Sequence, residues 1–203
     1  MKDINILIFG DSITYGAWDK ENGGWVNRLR LALENKMENY FNIYNLGIPG
    51  ETTINLKKRF DDECNYRFNT NDKTIIIFSV GINDSQIIGD KNLVLIKDFK
   101  KNVIELIDKA KQYTPYILFI GLTKVDENRT KPVPWDDKIN YSNKEATKYN
   151  EVLKNICKEK VINYLEIFNL LDTKDLDDGL HPNNNGHQKL CEEILNCLQD
   201  YYI

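Results

Sequence analysis

The stretch NILIFGDSITYG, residues 5–16, shows how this chain begins to fold. Residues 5–9 form a mostly apolar run that is long enough for a strand but too short for a helix. Gly10 and Gly16 then permit a tight turn, which would present the hydroxyl of Ser12 just beyond the end of the strand. Gly-Asp-Ser is also ordinary turn chemistry, so this tripeptide alone does not identify a site.

Four further runs of this kind predict four more strands, at residues 42–46, 74–80, 116–120 and 164–168. Helical spacing appears between them in two stripes: Trp25, Leu29, Ala32, Leu33, Lys36 and Met37, and then Phe99, Val103, Leu106, Ile107 and Ala110. Strands that alternate with helices predict a parallel sheet covered on both faces.

Two more helices are indicated late in the chain. Ser142 with Glu145 three residues later matches a capping box, and a last helix runs roughly from Gly186 onward. We therefore expect an α/β fold, a three-layer α/β/α sandwich that is flavodoxin-like, with a five-stranded parallel sheet. No linker-like stretch divides the 203 residues, so a single domain over residues 1–203 is expected.

Composition narrows the function classes. The net charge is -4, and the basic residues are scattered among acidic ones, which disfavours a nucleic-acid partner. The apolar run near the start is too brief for a signal peptide or a membrane span, so we expect a cytoplasmic protein without stable membrane association. The cysteines lack CxxC pairing, which favours reduced, mostly buried thiols over a zinc site or disulfides: Cys64, Cys157, Cys191 and Cys197.

Ligands of such sheets bind beyond the carboxyl ends of the strands, so the loops there are where chemistry is expected. Gly47 follows the second strand, where it would let backbone N–H groups approach a ligand; a simple strand-to-helix turn capped by Thr52 or Thr53 is the alternative. Asn83 follows the third strand and can offer an amide N–H, although an Asx turn would also explain it.

Asp178 and His181 stand after the fifth strand and before the last helix. His181 follows Asp178 by three positions, so one turn of chain can hold the carboxylate against the imidazole. Asp175 and Asp177 are nearby competitors for the carboxylate. His187 is the other histidine, and at the start of the last helix it is expected to be a surface residue.

Taken together, the blocks at Gly10–Ser12, Gly47, Asn83 and Asp178–His181 resemble the SGNH or GDSL hydrolases in order and position, over nearly the whole chain. The resemblance implies that Ser12 is the nucleophile, His181 the base and Asp178 its orienter. It also implies an oxyanion hole made by the backbone N–H groups of Ser12 and Gly47 and the side-chain amide of Asn83. No metal and no organic cofactor are implied.

The residue types suit this chemistry. A serine hydroxyl attacks well only when a base takes its proton, and an imidazole titrates in the useful range. A carboxylate on the other ring nitrogen fixes the tautomer. Asp11 is expected to support the turn and is also a candidate for substrate binding. Trp135, in the long segment 123–141, is expected to shape an acyl or alcohol pocket, unless that segment is only a solvated excursion.

The expected activity is therefore hydrolysis of small carboxylic esters through an acyl-serine intermediate. Carbohydrate O-deacetylation, thioester or lysophospholipid cleavage, and acyl transfer are alternatives on the same site. A catalytically silent binding domain or a nucleotide-binding module is the alternative outside enzymes, but no GxGxxG or GxxxxGK[ST] motif follows the first strand. Small soluble esters are the expected partners, and the oligomeric state is left open.

Overall fold

A computed structural model describes residues 3–36 and 40–203. Met37, which the sequence assigns to the first helical stripe, lies outside the described residues. The elements follow in chain order: β1 (Ile4–Gly10), α1 (Ser12–Tyr15), α2 (Gly24–Lys36), β2 (Phe41–Gly47), α3 (Thr53–Arg67), β3 (Lys73–Ser79), β4 (Ile87–Ile88), β5 (Lys91–Asn92), α4 (Ile96–Ala110), β6 (Ile117–Ile120), α5 (Glu127–Thr130), β7 (Ile139–Asn140), α6 (Asn143–Lys160), β8 (Asn163–Leu165), a 3-10 turn (Thr173–Asp175) and α7 (Asn184–Tyr201).

The five longer strands form the predicted parallel sheet, in the order β2-β1-β3-β6-β8. This is the flavodoxin-like order, so the predicted fold class is confirmed. Helix α2 packs against α7, while α3 packs against α4 and α4 against α6. Gly10 at the end of β1 lies in register with Gly47 on one side and Ser79 on the other. The loops after these three strands therefore meet at one edge of the sheet.

The core is aromatic where the sheet meets the helices. All seven residues of β1 are buried, as a strand covered on both faces requires. The ring centroids of Phe9 and Phe60 lie 4.9 Å apart, and those of Phe78 and Phe119 lie 5.4 Å apart. The contact between Phe9 and Phe60 packs β1 against α3, and the contact between Phe78 and Phe119 packs side chains of β3 and β6 together. These contacts help to position the loops that follow the strands.

The last strand departs from the prediction. The sequence predicts residues 164–168, whereas β8 covers Asn163–Leu165. The side chain of Glu166 accepts the backbone N–H of Phe168 at 3.0 Å and turns the chain directly after the strand. The apolar residues that follow are therefore part of a turn rather than of the ladder.

Both predicted helix starts late in the chain are close to the observed ones. Ser142 caps α6 and accepts the N–H of Glu145 at 3.2 Å, as the capping-box pattern indicates. Helix α7 begins at Asn184, two residues earlier than expected, because Asn183 caps it by accepting the N–H of Gly186 at 3.1 Å.

A second sheet was not predicted. Strands β5, β4 and β7 pair antiparallel in that order, and each has two residues, too few for a recognisable pattern. This small sheet joins the segment after β3 to the segment before α6, so two loops that border the site are tied together. Within residues 3–36 and 40–203, none of the helices is long and apolar enough to cross a membrane.

Candidate active site

Ser12 lies where β1 passes directly into the short helix α1. Asp11 caps that helix, and its carboxylate accepts the N–H of Ile13 at 3.0 Å. Gly10 must lack a side chain here, because a Cβ would come within 2.1 Å of the Oγ1 of Thr14 and 2.5 Å of the carbonyl oxygen of Ser79. In three successive residues, Gly-Asp-Ser therefore provides the close approach at Gly10, the helix cap at Asp11 and the hydroxyl of Ser12 just beyond the strand.

Three side chains that the sequence predicts as a unit do come together. The Oγ of Ser12 lies 2.9 Å from the Nε2 of His181, and the Nδ1 of His181 lies 2.7 Å from the Oδ2 of Asp178. These are hydrogen-bond distances, and they join residues that are 169 positions apart in the chain. The hydroxyl, imidazole and carboxylate form a continuous relay, which can move a proton away from the serine oxygen.

The carboxylate of Asp178 is held in its ionised form. Burial raises its pKa, but the hydrogen bonds from the ring and the backbone of His181 and from the backbone of Leu180 outweigh burial and lower the pKa to about 2. Oδ1 accepts the two backbone N–H groups at 2.9 and 3.0 Å, which leaves Oδ2 for the imidazole. An ionised carboxylate can accept the Nδ1–H and leave Nε2 free to take a proton.

The turn that carries this pair is fixed from the other side of the site by the segment after β6. The guanidinium of Arg129 donates to the carbonyl oxygens of Thr173, Leu176 and Asp177 at 3.1, 3.1 and 2.7 Å. The backbone N–H of Asp126 donates to the carbonyl of Gly179 at 2.8 Å. The position of the imidazole therefore depends on contacts that the local sequence does not reveal.

The competing aspartates are used elsewhere. The buried carboxylate of Asp175 lies 2.6 Å from the Nζ of Lys189 and accepts the backbone N–H of Asp172 at 2.9 Å. The backbone of Asp177 closes the turn, with its N–H donating to the carbonyl of His181 at 2.8 Å. Among these three aspartates, Asp178 is the one whose carboxylate the structure brings to the imidazole ring.

Gly47 lies at the end of β2 against the backbone of α1. A Cβ on this residue would be 2.4 Å from the backbone nitrogen of Tyr15, so only glycine permits the approach. Its N–H donates to the Oδ1 of Asn45 at 3.0 Å. A substrate oxygen that binds this N–H has to share it with Asn45 or replace that contact. Thr52 is the cap residue of α3 by position, but Asp84 rather than Thr52 accepts the N–H of Thr53, at 3.0 Å.

Asn83 is buried and its amide is oriented by two distant partners. Its Nδ2 donates to the carbonyl of Glu51 at 3.0 Å, and its Oδ1 accepts the hydroxyl of Tyr141 at 2.8 Å. The two partners agree on which atom is nitrogen and which is oxygen. Because Nδ2 carries two hydrogens, one remains for a ligand. The side chain serves long-range contacts rather than the Asx turn that the sequence left open.

Two tryptophans flank the imidazole, and the sequence predicts only one of them as a site residue. The ring of Trp135, half exposed, lies 5.6 Å from the ring of His181, so segment 123–141 borders the site as expected. Trp18 was missed. Its ring lies 6.3 Å from that of His181, and its indole N–H donates to the Oδ2 of Asp178 at 2.7 Å. Its exposed position in a polar loop gives no sequence signal.

His187 corrects an expectation. The sequence predicts a surface residue, but His187 has no exposed surface. Its Nδ1 accepts the backbone N–H of Trp25 at 3.3 Å, and its Nε2 lies 3.0 Å from the carbonyl of Ala17. Burial lowers its pKa, which favours the neutral ring that can accept at one nitrogen and donate at the other. Packing of α7 on α2 causes this burial. The position of His187 near the start of a helix does not indicate which neighbouring helix will cover it.

Two buried carboxyl groups lie beneath the site. Burial raises the pKa of Asp11 to about 7 and that of Asp84 to about 6. Asp11 is 2% exposed and bonds to its own turn, as expected for a residue that supports the loop. Within the described part of the chain, no group of three or more His, Cys, Asp or Glu side chains is arranged to hold a metal ion.

Comparisons with known proteins place this geometry in a family. The model of the GDSL-like lipase/acylhydrolase family matches residues 8–189. A multidomain esterase of Ruminococcus flavefaciens is 26% identical over 98% of this chain, which spans 29% of the length of that relative. The isoamyl acetate-hydrolyzing esterase of Saccharomyces cerevisiae is 23% identical over 97% of this chain and 86% of its own. The structure of an acetylxylan esterase from Geobacillus stearothermophilus is similar, with a TM-score of 0.73 and 19% identity over 95% of this chain and 92% of that one.

Proposed function

The chain belongs to the GDSL-like lipase/acylhydrolase family, whose reaction is the hydrolysis of carboxylic esters, and from this premise we propose that it works through an acyl-Ser12 intermediate. The observation that carries the proposal is the unbroken relay from the Oγ of Ser12 through both ring nitrogens of His181 to Asp178, with distances of 2.9 and 2.7 Å. His181 is the base, and Asp178 is its orienter.

The reaction runs in two halves. Ser12 Oγ attacks the ester carbonyl carbon while Nε2 of His181 takes the hydroxyl proton; that proton then passes to the leaving alkoxide, and the ester C–O bond breaks. In the second half water attacks the acyl-Ser12 carbonyl, again losing a proton to Nε2. The acid is released, and Ser12 recovers its proton.

The oxyanion hole consists of the backbone N–H groups of Ser12 and Gly47 and the second N–H of the Asn83 amide. Each such donor is typically worth about 3 kcal/mol of the barrier. The fixed orientation of the Asn83 amide supports its part, because a preorganised donor costs no rearrangement when charge develops. As the substrate binds, the N–H of Gly47 changes its acceptor from the Oδ1 of Asn45 to the substrate oxygen.

Small acetyl esters are the proposed substrates. Two similar proteins, an isoamyl acetate-hydrolyzing esterase and an acetylxylan esterase, are both named for acetyl esters. Trp135, 5.6 Å from the base, shapes the pocket, and Asp11 supports the nucleophile turn from below. Acyl transfer to an alcohol is the second candidate, since half-exposed aromatic rings at the site can bind an apolar alcohol in place of water.

The protein acts as a single domain over residues 1–203 without a nucleic-acid partner. A cytoplasmic location is part of the proposal, because the thiols of Cys64, Cys157 and Cys197 are free and buried. Unreactive reduced thiols of this kind fit a reducing compartment.

Labelling with a fluorophosphonate followed by mass mapping tests the proposal. We expect one adduct, on Ser12, in the folded protein, none in Ser12→Ala, and an unchanged adduct in Ser142→Ala, which alters a serine at a helix cap. Hydrolysis of p-nitrophenyl acetate should disappear in Ser12→Ala alone. A folded protein that takes no label and turns over no acetyl, butyryl or octanoyl ester would instead be a silent binding domain.

A further inference from the structure

The carboxylate of Asp178 has one more hydrogen-bond donor than the proposed relay requires. Two backbone N–H groups bind Oδ1, from Leu180 and His181, and the ring of His181 binds Oδ2. The fourth donor is the indole N–H of Trp18, at 2.7 Å from the same Oδ2. A carboxylate offers about four lone-pair sites, so Trp18 completes its set.

We propose that Trp18 is a positioning residue for the reaction: its indole N–H fixes Oδ2 of Asp178 and limits how strongly that oxygen stabilises a protonated His181. The proposal rests on the proposed function, because it acts through that histidine. The indole nitrogen also lies 3.2 Å from the Nδ1 of His181. Since Nδ1 carries a proton in the productive tautomer, that short distance is not a bond there, and the N–H of Trp18 is left to Asp178.

The loop holds Trp18 in an unusual backbone conformation. Its φ is 67°, in the left-handed region that bulky residues rarely adopt. On one side, the ring of His187 contacts the carbonyl of Ala17 at 3.0 Å. On the other, the buried carboxylate of Asp19 accepts the N–H of Gly24 at 2.9 Å and pairs with Arg28 at 2.9 Å. Strained residues persist only where neighbours fix them, and they cluster at functional sites.

The two roles of Trp18 have opposite effects on the reaction. As a second donor, it draws negative charge from Oδ2, so that this oxygen offers less stabilisation to an imidazolium at His181. As a support, it holds the carboxylate in line with the ring during attack. Removing the N–H should therefore slow the reaction and move its acid limb to higher pH.

Other titratable groups that act on the imidazole are Asp178 in the same turn, His187 in α7 and Asp11 in the nucleophile turn. Tyr141, from the segment before α6, lies near Asp11 and Asp178. Lys20 lies 6.0 Å from the ring of Trp18. Replacing Trp18 by phenylalanine changes the charge of none of them. A limb that moves in Trp18→Phe and stays in place in Trp135→Phe would therefore report the lost N–H.

The experiment compares Trp18→Phe with Trp135→Phe, since both replace a half-exposed indole beside His181. For Trp18→Phe we expect kcat/KM for p-nitrophenyl acetate to fall about 10-fold. Its acid limb should move up by ~0.5 pH unit. For Trp135→Phe the limb should stay in place. An unmoved limb in Trp18→Phe, with or without a loss of rate, overturns the proposal. An equal movement of the limb in Trp135→Phe also overturns it, because a changed burial of the ring would then explain the shift.

Two further measurements keep the test decisive. If Trp18→Phe does not fold, hydrogen–deuterium exchange of the wild-type indole N–H groups replaces it: Trp18 and Trp135 are 46% and 50% exposed, so slower exchange at Trp18 supports the bond and equal exchange refutes it. Fluorophosphonate labelling of wild-type Ser12 separates the two proposals. A labelled Ser12 with an unmoved limb removes only the role of Trp18, whereas no labelling removes the proposed function itself.

Discussion

The polar residues around the site fall into two groups that use the same residue types differently. The rim group is Ser12, Asp178 and His181, and the buried group is Asp11, Asp84 and His187. In the rim group, hydrogen-bond donors overcome burial and lower the pKa of Asp178 to about 2. In the buried group, burial outweighs the available donors and raises the pKa of Asp11 to about 7.

Position in the fold explains the contrast. Asp178 accepts four donors, whereas within the described residues the Asp11 carboxylate accepts one, the backbone N–H of Ile13. A carboxylate that is buried with few donors is stabilised in its neutral form, and one that is surrounded by donors stays charged. The carboxylate of Asp178 therefore stays charged at neutral pH, whereas a larger share of the Asp11 carboxyl is neutral there.

Asp178→Asn should have the largest effect, because it removes the charge on which the rim group depends. An amide that keeps its oxygen on the backbone N–H groups turns its NH2 toward the ring, which forces the proton of His181 to Nε2, facing Ser12. We expect kcat for p-nitrophenyl acetate to fall about 10⁴-fold. A loss below tenfold would mean that Asp178 does not set the tautomer.

Asn83→Ala tests a residue that is buried like the second group but is proposed to act in the reaction like the first. We expect kcat to fall about 10²- to 10³-fold while KM changes little, because the amide N–H binds most strongly in the transition state. Tyr141→Phe is the matched control. It removes the hydroxyl that orients the amide but leaves the amide in place, so its loss of kcat should be smaller. A rise in KM without loss of kcat would place Asn83 in substrate binding.

The sequence predicts the rim group better than the buried one, for a physical reason. Ser12 and the Asp178–His181 pair stand in short motifs at strand ends, and parallel topology brings strand ends together. Burial of His187 depends on the packing of α7 against α2, and the bond from Trp18 joins residues 160 positions apart through a residue with a φ of 67°. No local periodicity encodes either. The two-residue strands of the small sheet were missed for the same reason.

Among substitutions in the buried group, Asp11→Asn should have the largest effect on stability. Because folding raises the pKa of Asp11 from 3.8 to about 7, its neutral form stabilises the fold at low pH, and that contribution is lost as pH rises from about 4 to about 7. Asparagine does not titrate. We expect the free energy of unfolding of the variant to gain on that of the wild type between about pH 4 and pH 7, by a few kcal/mol at most, and the two to run parallel above that range. Parallel curves throughout would mean that Asp11 is ionised in the fold.

His187→Gln should have the smallest effect and the opposite sign. Folding lowers the pKa of His187 below 6.5, so the neutral ring stabilises the fold above about pH 6.5 and the contribution is lost as pH falls through the lowered value. Glutamine can accept from Trp25 and donate to Ala17 without titrating. Thermal midpoints from pH 7.5 to 5 should therefore fall less steeply for the variant than for the wild type. Equal slopes would show that folding does not lower the pKa of His187. Burial would then not determine the charge of this member of the buried group.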